Sequence, residues 1–262
     1  MATATYLYCL VQSARKPAVA RVPRGLPGAT PVVPAQLAGR LWVVHAAVPL
    51  DQYGPGPLDA ALKDLDWVSR IALAHAAVVE HFATLPGATV IPMKLFTMFS
   101  TVERAMAGMR GRGAELRRVF ARLEGCEEWG VRVLRRDRKQ PAARSPRSSI
   151  VAKPSTGTAF LTARKQARDD ARAAMSAAAT AADAVYLSLA GIAAEHRRRT
   201  AEAPGVVAPL LDAAFLVPTR RRARFQSAAQ KVARQISETG AEMTLTGPWP
   251  PYNFVGSLEE AT

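Results

Sequence analysis

Residues 173–194 carry a single charged side chain, Asp183, between Arg172 and Glu195. A run of that length is long enough either to cross a bilayer or to form one long soluble helix. Alanine dominates it and supplies little hydrophobic transfer energy, whereas a charge near the middle costs roughly 2.5–3.5 kcal/mol on insertion scales. The run therefore predicts a soluble helix, extending over about residues 158–199. Along it Met175, Ala178, Ala182, Val185, Leu189, Ile192 and His196 recur three and four apart, a seam of coiled-coil type. A seam this narrow suits close packing against another helix or a sheet, so the chain around it must supply a partner layer.

The flanking segments supply strands. Residues 128–134 (EWGVRVL) read as a strand, and residues 206–217, broken by Pro209, offer two short ones, of which 213–217 (AAFLV) is the better. Residues 219–238 form a helix with Phe225, Ala229, Val232 and Ile236 on one face. Gly240 ends it, and 241–246 (AEMTLT) alternates as a further strand. The order strand, helix, strand, strand, helix, strand is the split βαβ order of a ferredoxin-like (βαββαβ) fold. The first half is α+β without that regularity. It has strands at 5–11 (TYLYCLV), 41–48 (LWVVHAAV) and 88–93 (ATVIPM), with a Pro/Gly-rich loop at 17–34 between the first two. A helix capped by Asp66 buries Trp67, Ile71, Ala74, Val78 and Phe82, and a second, over 102–123, is loosened by Gly108, Gly111 and Gly113. With 262 residues the chain is long enough for two cores. The expected division is an N-terminal α+β domain (1–126), a C-terminal ferredoxin-like domain (127–246) with a mobile basic loop around 135–154, and a tail (247–262) packed at the domain junction.

Chemistry is sparse. No phosphate-binding G-x-x-x-x-G-K-[ST] occurs, and the glycines at 108–113 lie in a helical pattern with no strand before them. His75 and His81, six apart, point about 240° apart around a helix and cannot share a metal. His75 reads as a packed histidine, His45 lies in a strand, and His196 sits near a helix end, where a cation is favourable. Ser13-Ala14-Arg15-Lys16 fits S-x-x-K without its companion motifs. Cys9 reads as a buried thiol, and Cys126 as a loop residue beside Glu127 and Glu128, whose charges disfavour a thiolate. Two cysteines so far apart make neither a zinc cluster nor a disulfide framework, which points to a reducing compartment. The first ten residues lack the basic start and long apolar run of a secretory signal, so a cytoplasmic location is expected. No enzyme, cofactor or metal is expected.

The formal charge of +14 favours anionic partners. It is concentrated in Arg135-Arg136-Asp137-Arg138-Lys139, Arg197-Arg198-Arg199 and Arg220-Arg221-Arg222-Ala223-Arg224. Aromatic residues are 6% of the chain and only Phe225 adjoins these runs, so stacking platforms for single strands are missing. A solvated arginine face is the favoured reading over a phosphate site.

The segment Leu245-Thr246-Gly247-Pro248-Trp249-Pro250-Pro251-Tyr252-Asn253-Phe254-Val255 resembles the C-terminal signature of the gas vesicle GvpF/GvpL family. Other stretches follow in that family's order: Tyr6-Leu7-Tyr8, Asp66-Trp67 with His75 and Val78-Val79-Glu80, and Val90-Ile91-Pro92 leading to Thr97 and Phe99. Glu128-Trp129-Gly130-Val131, residues 155–161 (STGTAFL), Ala214-Phe215-Leu216-Val217 and Phe225-Gln226 complete the set. Where the family often reads Pro-Leu-Arg-Phe-Gly-Thr, this chain has Pro92-Met93-Lys94-Leu95-Phe96-Thr97. Phe96 cannot take glycine's positive φ without strain, so a different turn is expected there.

The resemblance implies a non-enzymatic accessory protein of gas vesicle assembly. Its expected partners are the hydrophobic shell protein GvpA and other accessory proteins, during nucleation or early assembly, with no membrane and no specific nucleic acid. A basic regulator of vesicle production that binds nucleic acid is the alternative. Candidate partner-binding residues are Trp249, Tyr252 and Phe254 in the tail, as aromatic anchors, and Arg220, Arg221 and Arg222, as attractors of acidic segments. The competing reading, which is favoured for the tail, is that it folds back on its own chain, its prolines fixing an extended path and its aromatics filling the domain junction.

Overall fold

The structure is a computed structural model and describes residues 2–136, 157–200 and 208–256. It contains helices and antiparallel sheets in two compact units, Met1–Glu128 with Pro248–Thr262, and Trp129–Gly247. From residue 137 onward the expected basic loop lies outside the described residues, as do residues 201–207 and 257–262.

The first unit is organised by β1 (Thr3–Gln12), whose apolar sequence is buried at Ala4–Val11 without a break. A strand continuously apolar in this way must be covered on both faces. It is central in the sheet order β2 (Val33–Ala38), β3 (Leu41–Pro49), β1, β4 (Thr89–Pro92), and β5 (Met98–Phe99) also pairs with β1. The register of β1 on β3 slips between Leu7 and Cys9, so Tyr8 is the extra residue of a β-bulge. The bulge resets the alternation of faces. Ala4, Tyr6 and Tyr8 before it, and Cys9 and Val11 after it, all join one core cluster. Leu7 and Leu10, outside that cluster, are buried too.

On the Tyr6–Tyr8 side lies the α-helix spanning Leu65–Ala83, which contributes Ile71, Val78, Val79 and Phe82 to the same cluster. Two short helices, α1 (Leu50–Tyr53) and α2 (Pro55–Ala61), precede it, and it is therefore α3. Its cap is Asp64, not Asp66 as the sequence suggested. The Asp64 carboxylate accepts the backbone N–H groups of Asp66 and Trp67 at 3.0 and 3.1 Å, because Asp64 has the extended backbone that a cap needs while Asp66 is already in the first turn. The expected single helix over 102–123 is two, α4 (Val102–Gly111) and α5 (Gly113–Leu123), divided at Arg112 where the glycines cluster. The loop at 17–34 is pinned by Tyr8, whose hydroxyl accepts the Leu26 N–H at 3.0 Å. A side chain at Gly25 (φ +77°) would meet that hydroxyl at 2.3 Å.

The second unit holds the sheet order β7 (Glu195–Arg198), β8 (Leu211–Pro218), β6 (Cys126–Arg135), β9 (Ala241–Trp249). Helix α6 (Gly157–Ala190) connects β6 to β7, and α7 (Arg222–Ser237) connects β8 to β9. The core brings Ala182, Val185 and Leu189 of α6 and Phe225, Ala229, Val232 and Ile236 of α7 onto Trp129, Val131, Phe215 and Val217 of the sheet.

Several expectations are corrected here. The long helix stops at Ala190 instead of running to 199, and Glu195–Arg198, expected to lie within it, is a strand; the first of the two strands expected over 206–217 begins outside the described residues. His196 is consequently a strand residue rather than a helix-end cation, and the Tyr186 hydroxyl lies 2.7 Å from its Nδ1. Cys126 opens β6 instead of lying in a loop. The seam expected from Met175 is buried only from Ala178 onward, and Met175 is 43% exposed.

Candidate partner-binding surface

From Pro248 onward the C-terminal signature belongs to the first unit, where polar contacts fix it. Pro250 and Pro251 are buried and leave the backbone few alternatives to an extended entry. A 3-10 turn at Tyr252–Phe254 follows, in which the Tyr252 and Phe254 N–H groups donate to the carbonyls of Pro250 and Pro251 at 2.8 and 3.1 Å. The Glu128 carboxylate takes both the backbone N–H of Asn253 (2.8 Å) and its side-chain amide (2.5 Å). The Arg122 guanidinium donates to the Phe254 carbonyl. Charge-assisted bonds of this kind are about twice as strong as neutral ones, so Asn253 acts as a latch on Glu128.

That latch sorts the three aromatic candidates. Phe254 is fully buried and presents no surface to a partner. Tyr252 packs on the Tyr6–Phe82 core, its hydroxyl is buried without a hydrogen-bond partner among the described residues, and burial pushes its pKa up. Trp249, at the end of β9, is 44% exposed. An indole held at the tip of a strand by a buried tail has little entropy left to lose on contact.

The arginine runs are equally uneven. Arg199, just after β7, and Arg132, from β6, both hold the carboxylate of Asp212, at 2.5 and 2.8 Å, where Asp212 is 8% exposed. Arg198 pairs with Asp183 at 2.7 Å and lies 4.3 Å over the Tyr186 ring. Arg221 donates to the Ile192 carbonyl at 3.0 Å. Arg220 and Arg222, on the turn Thr219–Arg221 and the first position of α7, are exposed. The runs are thus partly internal fasteners, and Arg220 and Arg222 are the members of their run that face solvent most fully with Arg224. No spacing rule in the sequence announces the Asp212 clamp, because its members come from two strands and from the residue that follows a third.

A third group surrounds the segment in which this chain departs from the family sequence. Tyr6 Oη is 2.8 Å from His75 Nδ1 and accepts the Phe96 N–H at 3.3 Å. The Tyr8 ring stacks on His75 with centroids 5.6 Å apart, and Tyr6 meets Tyr8 edge-on at 4.9 Å. Burial holds His75 neutral, lowering its pKa to about 4 against a smaller opposing effect of the Met93 backbone, and pushes Tyr8 up to about 12. Phe96 has φ +66° and Leu95 does not share it, while the Thr97 N–H donates to the Lys94 carbonyl at 3.2 Å. This is the sign pattern of a type II turn, with Phe96 where glycine is normal. The expectation of a different turn is corrected: the turn is one that glycine would make, and Phe96 occupies it strained. The Phe96 ring lies parallel to Trp67, 5.9 Å between centroids at 4°.

Cys9 is not set up as a nucleophile: it is wholly buried, and burial pushes its thiol pKa up. Among the described residues no three His, Cys, Asp or Glu side chains group as metal ligands.

Comparison with known proteins is consistent from end to end. The chain is 32% identical over 235 residues to gas vesicle protein L of Streptomyces sp. (strain CB03234), covering 85% of this chain and 82% of that one. Its fold matches the crystal structure of GvpF from Anabaena sp. PCC7120 with a TM-score of 0.67 at 15% identity, over 97% of this chain and 96% of that one. The crystal structure of GvpF from Microcystis aeruginosa matches with a TM-score of 0.65 at 16% identity, over 96% and 98%. The family model for gas vesicle synthesis protein GvpL/GvpF matches residues 4–256, and the chain belongs to that family.

Proposed function

We propose that this protein is an assembly factor that binds the hydrophobic shell protein GvpA and supports nucleation or early growth of the gas vesicle in the cytoplasm. The observation that carries the reading is the exposed Trp249 on a latched tail. A shell subunit that assembles into an apolar-lined wall must be shielded until it is placed, and a preordered indole is an anchor that loses little entropy on binding an apolar partner. Arg220 and Arg222, exposed at the start of α7, supply attraction for acidic segments of GvpA or of another accessory protein. In the same reading the chain has two domains. The second is a modified ferredoxin-like domain, supported by its strand order with β6 and β8 central and a helix after each. The tail belongs with the first domain. Tyr252 and Phe254, assigned with Trp249 as anchors from sequence, take the supporting role of holding the tail.

The test is co-purification from one host of the full chain with GvpA, at low and at physiological salt. A soluble complex that weakens with Trp249→Ala, while the melting temperature stays within a degree or two of the parent, supports the reading. Absence of a complex at either salt, or a Trp249→Ala protein that binds as well as the parent, refutes the anchor. A complex insensitive to salt removes the arginine contribution.

A further inference from the structure

Helix α6 is supported along only part of its length. From Ala178 to Leu189 one stripe is core, with Ala178, Ala182, Val185 and Leu189 at 0–3% exposure, whereas residues 160–177 are exposed without exception. At 1.5 Å per residue this is about 27 Å of helix with nothing packed on it among the described residues. The buried stripe nevertheless continues into it. At 100° per residue Phe160, Ala167, Ala171 and Met175 fall within about 40° of the line that the core alanines define. Phe160, Leu161 and Met175 are 55%, 64% and 43% exposed.

The charges beside this stripe are one-sided. Arg164 sits almost on the line, and Arg168, Arg172 and Lys165 follow on the same flank at about 60–120° from it. Asp170 lies on the other flank and Asp169 at the back. Asp170 already accepts the Gln166 amide at 2.9 Å. None of the four cations has an ion-pair partner among the described residues.

We infer that the exposed half of α6 is a docking face for an amphipathic helix of a partner protein, one with a narrow apolar stripe and carboxylates about four residues apart along its edge. Small residues along the stripe let two helix axes approach closely. Arg164, Arg168 and Arg172, at successive intervals of four, fix the register by their pairing. A second copy of this chain does not fit: an antiparallel pair sets the basic flank against itself, and a parallel pair sets Arg164 opposite Arg164. The surface is distinct from the Trp249 tail, and the inference does not depend on the GvpA reading.

The probe is a pair of synthetic twenty-residue amphipathic helices with the same leucine stripe, one flanked by glutamates and one by lysines, titrated against the full-length protein by fluorescence anisotropy. The glutamate peptide is expected to bind, at least about tenfold more tightly than the lysine peptide, and to weaken with added salt. Arg164→Glu with Arg168→Glu and Arg172→Glu should reverse the preference, with helix content unchanged by circular dichroism. Leu187→Glu, exposed on another face of the same helix, should leave it intact. Equal binding of both peptides, or no effect of the triple reversal, overturns the proposal. So does displacement of the glutamate peptide at physiological salt by a random DNA duplex or by anionic lipid vesicles, or a dimer of the parent that the reversal dissociates.

Discussion

Phe96 stands at a backbone position meant for glycine, and replacing it separates two opposing effects. Its φ of +66° puts a side chain in the left-handed region, at a cost of about 1–2 kcal/mol for a non-glycine residue. Its ring, half-buried and parallel to Trp67 at 5.9 Å, recovers about 0.5–1.5 kcal/mol from the aromatic pair. To that is added about half of the roughly 1.5–3 kcal/mol that burying a whole phenylalanine brings. Phe96→Ala loses the ring and keeps the strain, so it should cost about 1–3 kcal/mol. Phe96→Gly loses the same ring and is released from the strain, less the roughly 0.4–1 kcal/mol by which glycine raises the entropy of the unfolded chain. The glycine variant should therefore be more stable than the alanine variant by about 1 kcal/mol, the reverse of the usual order. Urea unfolding followed by fluorescence reads this as a midpoint about 0.5 M higher for glycine at a common slope of about 2 kcal/mol/M. An alanine variant as stable as the glycine variant, or more so, would refute the strain argument.

Below pH 6.5 the protein should lose stability. His75 binds its proton more weakly folded, with a pKa of about 4, than unfolded, so its stabilising neutrality is complete above pH 6.5 and is lost as pH falls toward 4. The difference is worth about 3 kcal/mol, and His75→Gln, which offers the Tyr6 hydroxyl an acceptor and does not titrate, should have a correspondingly flatter melting temperature between pH 4 and 6.5. Phe254→Ala, which empties a fully buried site, should cost about 3–5 kcal/mol, whereas Trp249→Ala should cost under about 1 kcal/mol; thermal melts of the two compared directly check this. Asp212→Ala leaves Arg132 and Arg199 facing each other without their carboxylate, and should destabilise the chain by about 1–3 kcal/mol. Asp212→Ala with Arg199→Met should recover part of that loss in a double-mutant cycle.

Where a segment's burial shows in its own residues, the sequence was easy to read. The unbroken apolar run of β1 and the one-sided helix of Phe225, Ala229, Val232 and Ile236 lie where periodicity puts them. The misses have local physical causes. β7 reads Glu-His-Arg-Arg because it is a short edge strand whose side chains face mostly outward, and charge there is how edges are kept from pairing. A helical seam extended through His196 fitted the same letters. Gly191, directly after the last helical residue, was the available sign of the stop. Asp64 and Asp66 are equally good caps by type, and backbone conformation alone decides between them. The Tyr8 bulge leaves no mark in composition, so neither the sharing of one face by Tyr8 and Cys9 nor the Tyr6–His75–Phe96 network was legible. Of the surface candidates, residue type named Trp249 and Phe254 alike. Only the latch of Asn253 on Glu128 distinguishes the outward ring from the inward one.

The burial of Cys9 has a practical corollary. Its sulfur sits in the central strand, sealed on both faces, with ionisation suppressed, while Cys126 is only half covered at the start of β6. An alkylating reagent added to the native protein should therefore meet one thiol quickly and the other only when β1 parts from its neighbours. The slow modification becomes an internal clock for the opening of the first unit, requiring no introduced label. Because it is read by mass, it can be run with partners bound, so that a shell subunit or accessory protein gripping that unit would announce itself as a delay in the second mass increment.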